Sequence, residues 1–156
     1  MISKVSKSAT WLQTILSILV TLVVPVLLVL LCVRLVMTDT YLQLEYNKPD
    51  FPPDGYGFSL QDRLHYAPYA LDYLLGSDGI DYLGKLTFPD GRPLYNPREL
   101  EHMVDVKNVF RGALAALGVA LLLFALALAV LLRSPAGLRA LRIGMFSGGL
   151  LVVGAA

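Results

Sequence analysis

Trp11–Val33, WLQTILSILVTLVVPVLLVLLCV, is a run of 23 residues without a charge. As a helix rising about 1.5 Å per residue it reaches about 35 Å, enough to cross a hydrocarbon core of about 30 Å with modest tilt. Pro25 inside it predicts a kink. A second run, Gly112–Leu132 (GALAALGVALLLFALALAVLL), holds 21 uncharged residues rich in Ala and Leu and also spans. A third, Ile143–Ala156, has 14 residues, about 21 Å of helix, with no charged or aromatic anchor at its end. It is too short to cross, and its last carbonyls at mid-bilayer depth would lack partners, so the reading expects the chain to be cut short there.

Between the first two runs lies everything acidic. All 12 Asp and Glu residues fall from Asp39 to Asp105, and both histidines, His65 and His102, lie in that stretch. With 56% hydrophobic residues the chain is too apolar for an ordinary soluble domain. The expected fold is therefore an all-α polytopic membrane protein, its transmembrane helices separated by one extracytoplasmic segment of helical and irregular structure. The boundaries read as an N-terminal tail 1–10, a first transmembrane helix 11–37, an extracytoplasmic segment 38–108, a second transmembrane helix 109–132, a cytoplasmic loop 133–142, and the incomplete start of a third helix, 143–156.

Orientation follows from Lys and Arg. Residues 1–10 and 133–142 carry Lys4, Lys7, Arg133, Arg139 and Arg142 with no acid, whereas the segment 38–108 mixes its six basic residues with the 12 acids. Basic flanks stay in the cytoplasm, which places the N-terminus inside, the segment outside, and the protein in the cytoplasmic (inner) membrane as a multi-pass protein. The first run is too long for the apolar core of a cleaved signal peptide, and no small-residue cleavage site follows it. Cys32, the only cysteine, reads as a helix-packing residue.

Within the outer segment, Tyr41-Leu42-Gln43-Leu44-Glu45-Tyr46 alternates apolar and polar side chains and predicts a short strand or extended interfacial stretch. Phe51-Pro52-Pro53-Asp54-Gly55-Tyr56-Gly57 is turn-rich and ends it. Ser59 with Asp62 predicts an N-cap and its acidic N3 partner, opening a helix from Leu60 to about Leu75 that Pro68 divides or limits. Leu64, Tyr69, Leu71, Tyr73, Leu74 and Leu75 would suit that helix to a bilayer surface. Pro89-Asp90-Gly91 predicts a turn in a small hairpin. Asn96-Pro97-Arg98-Glu99 is the strongest local signal, with an N-cap Asn, Pro at the first helical position and Glu at N3. A helix from Pro97 can then run unbroken to Leu132, about 54 Å, with its first turns outside the hydrocarbon.

That helix holds the candidate chemistry. His102 and Asp105 stand at i and i+3, with Glu99 a turn earlier, so a carboxylate can orient one imidazole nitrogen and leave the other as a base. The bland alternative is a solvated histidine with ordinary helix neighbours. Lys107 and Arg111 fall lower, where they can snorkel toward lipid phosphates and bind substrate. Glu99-Leu100-Glu101-His102 has the spacing of carboxylate metal sites, but no second copy accompanies it, so no metal is expected. His65 reads as an interfacial side chain. No cofactor motif, nucleophile elbow, P-loop or cysteine pair is present, and no basic groove suits nucleic acid.

Arg34-Leu35-Val36-Met37-Thr38, Glu45-Tyr46, Phe51 through Phe58, Leu83-Gly84, Leu94-Tyr95-Asn96, and above all Arg98-Glu99-Leu100-Glu101-His102-Met103-Val104-Asp105-Val106-Lys107 together resemble a bacterial integral-membrane family that includes the Lit-type lipoprotein intramolecular transacylases. The resemblance implies four transmembrane helices with two outer segments. It also implies movement of an acyl chain from the sn-2 ester of a lipoprotein's diacylglyceryl group to the amine of the same N-terminal cysteine. His102 would correspond to the histidine of the first outer segment, and a further family histidine belongs to a segment after the third helix. Membrane lipids and lipoproteins would be the partners. The long proline-rich loop departs from the characterised enzymes. A rival reading keeps the helices as anchors only, for an acidic outer segment that binds a partner.

Overall fold

A backbone surrounded by hydrocarbon must satisfy its own hydrogen bonds, so uncharged runs of this length become helices. The computed structural model describes residues 2–155, with side-chain surroundings from residue 11 onward; the side chains of Lys4 and Lys7 lie outside this range. Six helices follow in order, α1 (Ile2–Val36), α2 (Asp39–Tyr46), α3 (Leu60–Leu75), α4 (Asp81–Gly84), α5 (Pro97–Leu131) and α6 (Pro135–Ala155). Three stretches are long and apolar enough to cross a membrane, Trp11–Val36, Pro97–Leu131 and Pro135–Ala155. The described residues are thus all-α, with the helical content of a multi-pass membrane protein.

The chain divides into two compact units, one of residues 1–32 and 114–156, the other of residues 33–113. In the first, the buried positions recur at steps of three and four. On α5 they are Leu117, Ala120, Ala127 and Leu131, with Phe124 half-buried between them; on α1 they are Val20, Val23 and Leu27. This is the helical period of a packing seam. Lipid competes for apolar side chains as well as another helix does, so association must come from close packing and interhelical hydrogen bonds.

Helix α6 supplies that closeness with Gly137, Leu141, Gly144 and Gly148 on its buried face. A Cβ at Gly144 would stand 2.7 Å from the Ser17 carbonyl oxygen and 2.9 Å from Val20 Cβ. At Gly148 it would stand 2.8 Å from Val24 Cβ and 2.9 Å from the Thr21 carbonyl oxygen. The Ser17 hydroxyl donates to the Ala140 carbonyl over 2.8 Å, which fixes the same crossing. Helix α1 passes through Pro25 without interruption. Pro25 has no N–H to give the Thr21 carbonyl one turn back, and it is this carbonyl that lies beside Gly148.

Helix α6 also begins eight residues before its uncharged run. The stretch expected as a loop, 133–142, is a turn only at Leu132–Ser134 and then helical. Ser134 explains the early start: its hydroxyl accepts from the Gly137 N–H over 3.0 Å, and Pro135 follows at the first helical position. The resulting 21 residues meet the length for a span, about 31 Å, which the apolar run alone does not.

In the second unit the stretch expected to be extended is helix α2. The Thr38 hydroxyl caps it by accepting from the Tyr41 N–H at 3.2 Å, and Asp39 sits in its first turn where the helix dipole favours an acid. The helix puts Leu42 and Tyr46, four apart, on its half-buried side and leaves Leu44 67% exposed, against the alternation of the sequence. Helix α3 begins as its capping box requires. Ser59 accepts from the Asp62 N–H at 3.1 Å, and Asp62 accepts from the Ser59 N–H at 2.9 Å. It runs through Pro68 undivided. Leu71 and Tyr73, read as bilayer-facing, are instead buried within the segment.

The expected hairpin shrinks to one antiparallel bridge, Thr87 with Pro93, closed by Phe88 N–H to Arg92 O at 2.8 Å and turned at Gly91 with φ +85°. Asn96 and Glu99 form the second capping box. The Glu99 N–H donates to Asn96 Oδ1 at 3.0 Å, and the Asn96 N–H to Glu99 Oε2 at 2.8 Å. From that cap α5 continues for 35 residues.

Candidate functional site on helix α5

The first turns of α5 present two unlike faces. Met103, Lys107 and Phe110 face the interior of the segment, Lys107 at 4% exposure and Phe110 at 8%. Glu101, His102, Asp105 and Asn108 are exposed, and one turn beyond Asp105 stands Val109, 75% exposed. A strip that passes from imidazole and carboxylate to bare valine within two turns suits a boundary between water and lipid.

His102 and Asp105 thus share the exposed face, as their spacing predicts, but no hydrogen bond or ion pair joins them. Glu99, one turn earlier, has its carboxylate committed to the Asn96 N–H. Of the three groups, the imidazole and the Asp105 carboxylate are the ones free to meet a substrate. His65 is exposed and stacks edge-on with Tyr66 at 4.7 Å and Tyr69 at 5.9 Å, an aromatic neighbourhood apart from His102. Among the described residues no three His, Cys, Asp or Glu side chains converge to hold a metal ion.

The two cations of the helix separate. Lys107 is drawn inward: its ammonium donates to the Asp78 carbonyl over 2.7 Å and lies 4.0 Å from the centroid of the Tyr73 ring. Nothing in its sequence neighbourhood announces this, because the partners come from the end of α3 and the loop after it. Arg111 is exposed and reaches the Gly76 carbonyl only at 3.5 Å, leaving most of its five donors open. Both hold the 76–78 loop; Arg111 alone also faces solvent.

Sequence reasoning passed over Arg63. Its guanidinium lies 4.9 Å from the Phe51 ring centroid and 5.6 Å from that of Tyr46, and donates to the Pro52 carbonyl at 3.1 Å, while its Nε is buried without a partner. It ties the proline-rich turn to α2 and α3. The available signal was an Arg four residues after a cap, facing a Phe-Pro-Pro turn that read only as a terminator.

A family model described as lipoprotein intramolecular transacylase Lit matches residues 15–156, which takes in both capping boxes, the exposed strip of α5 and all of α6 that is described. The chain belongs to the Lit family. A protein of Aquifex aeolicus (strain VF5), described as uncharacterized, is 25% identical over 96 residues, 62% of this chain and 44% of its own length. The matched part is therefore less than half of that relative. No solved structure matches. Membership in the Lit family accords with the three helices apolar enough to span.

Proposed function

We propose that this chain carries part of a lipid or lipoprotein acyl-transfer site at the outer leaflet of the bacterial inner membrane. The observation that carries the reading is the family match over residues 15–156 falling on a helix whose exposed face bears His102 and Asp105 next to bare Val109. The N-terminus and the 133–134 turn lie in the cytoplasm, the segment 38–108 outside, with spans at 11–37, 109–132 and within α6.

The chemistry is ester aminolysis. The amine of a lipoprotein's N-terminal cysteine attacks the ester carbonyl, a C–N bond forms, and the C–O bond to the glyceryl oxygen breaks. His102 takes the amine proton and returns it to the departing alkoxide, so that the net change is one acyl group moved and no proton lost. Asp105 is a positioning residue, close enough along the helix to turn the imidazole as the substrate arrives; apo hydrogen bonds at such sites are often open. Arg111, with open donors, stabilises lipid phosphate or the oxyanion, and Lys107 holds the loop that positions Arg111.

The test is the lipid form of lipoproteins in a host expressing the full gene product, read by mass spectrometry. His102→Ala should reduce the lyso-form at least about a hundredfold, the usual worth of a general base. Undiminished lyso-form in that variant, at equal protein level, sinks the assignment and leaves the anchored partner-binding reading in its place.

A further inference from the structure

A cavity in the outer segment lies apart from the groups given a part in the chemistry. It encloses about 710 Å³, within the usual range of ligand sites, and its walls include Tyr46, Phe51, Phe58, Tyr66, Phe88 and Tyr95. Pro52 and Pro53 complete one side. Phe58, Tyr66 and Phe88 pack on one another at ring-centroid distances of 5.7–6.2 Å, which holds that wall rigid.

The charged side chains on the wall already hold the backbone around them. Asp54 accepts from the backbone N–H groups of Tyr56 and Phe58 at 2.7 and 3.0 Å, Glu99 accepts from Asn96, and Arg63 is clamped between rings and on Pro52. Apart from the Arg63 Nε, which is buried behind the rings, the side-chain polar groups left without a protein partner include the hydroxyls of Tyr46, Tyr56 and Tyr95, each both donor and acceptor. Burial, and then the nearby Glu99 carboxylate, push the Tyr95 phenol up from its ordinary value, so it stays a neutral donor. Each charged group of the wall already holds a structural hydrogen bond to the backbone, and a hydrocarbon chain would bury hydroxyls that it cannot satisfy. Rigid rings, prolines and scattered hydroxyls are the groove chemistry that receives an extended, proline-containing polypeptide. Glu99 places that groove: it lines the cavity and, three residues before His102, opens the helix that carries the imidazole.

We infer that this pocket binds an uncharged extended stretch of polypeptide, the segment of a lipoprotein that follows its lipid-bearing residue. The inference rests on the acyl-transfer reading of α5 for the identity of the polypeptide.

The experiment uses the full chain in lipid nanodiscs and a dye-labelled, unlipidated peptide of Ala, Pro and Ser, followed by fluorescence anisotropy. Saturable binding is expected, weakened about three- to tenfold by Tyr56→Ala and by Tyr95→Phe. Tyr56 is 93% exposed, so its loss leaves the fold intact. A dye-labelled fatty acid should bind the nanodiscs equally in all three proteins. Absence of saturable peptide binding, binding untouched by both substitutions, or fatty-acid binding that the substitutions weaken would each overturn the proposal. Because no turnover is involved, a failure here is distinct from a failure of His102→Ala to abolish the lyso-form.

Discussion

The ammonium of Lys107 sits between the Asp78 carbonyl oxygen, 2.7 Å away, and the face of the Tyr73 ring, 4.0 Å from its centroid. A cation 4% exposed needs partners for its donors and its charge; the Asp78 carbonyl takes one of its three N–H donors, and the Tyr73 ring faces the charge. The pair ties α5 to the end of α3 through a loop that has no other buried polar anchor among the described residues.

Lys107→Met keeps most of the buried volume and removes both interactions. The loss should be about 1.5–3 kcal/mol for the charged hydrogen bond plus the ring contact, moderated because the desolvation of the ammonium is also relieved. Hydrogen exchange is the local reading: amides of residues 76–81 should exchange faster, while those around the α6 crossing stay unchanged. Equal protection at 76–81 would show that the tether is dispensable.

Gly144 and Gly149 make a matched pair. A methyl at Gly144 meets the Ser17 backbone oxygen at 2.7 Å and Val20 at 2.9 Å, whereas Gly149 has open space. Gly144→Ala should destabilise by about 1–3 kcal/mol through overpacking, and Gly149→Ala should be neutral or slightly stabilising. Thermal unfolding in detergent, monitored by helical circular dichroism, distinguishes them. Similar midpoints for the two variants would mean that α6 does not seat on α1 through its glycines.

Asp62 gives the pH dependence a sign. Hydrogen bonds from the Ser59 hydroxyl, first, and from its N–H hold the Asp62 carboxyl below its ordinary value of 3.8. The folded value lies below the unfolded one, so the cap's contribution is whole above the ordinary value and disappears as pH falls through the lowered one. The α3 amides nearest Ser59 should therefore gain exchange rate on acidification beyond the intrinsic change, and Ser59→Ala should remove that excess. An excess that persists in Ser59→Ala assigns it to another group.

Arg63 cannot be replaced by Lys. The planar guanidinium meets Phe51 and Tyr46 while donating to Pro52, and an ammonium cannot do all three. Arg63→Lys should cost about 1–2 kcal/mol and loosen the 51–57 turn. Limited proteolysis at that turn reads it directly: cleavage no faster than in the parent chain would set the prediction aside.

The features readable in advance were those coded by adjacent residues. Ser59 with Asp62 and Asn96 with Glu99 are caps whose partners lie three positions apart, and both formed. The uncharged runs became helices because hydrocarbon permits little else. The misread stretches share a different origin. Alternation at Tyr41–Tyr46 lost to a cap at Thr38 and to α3, on which Leu42 and Tyr46 settle. The start of α6 was hidden because Arg139 and Arg142 look like loop charges, although long cationic side chains are compatible with a span's end. At the candidate site the shared face of His102 and Asp105 was legible from spacing. The inward turn of Lys107 and the clamp on Arg63 were not, since each depends on partners more than ten residues away.

The order in which the chain is made gives Pro25 a further meaning. Helix α1 is synthesised before α6, and its proline leaves the Thr21 carbonyl without the N–H one turn ahead. The backbone that comes to rest against this oxygen belongs to Gly148, more than a hundred residues later. Until α6 arrives, that oxygen has no backbone packed against it, so α6 is the helix that covers the acceptor Pro25 leaves open.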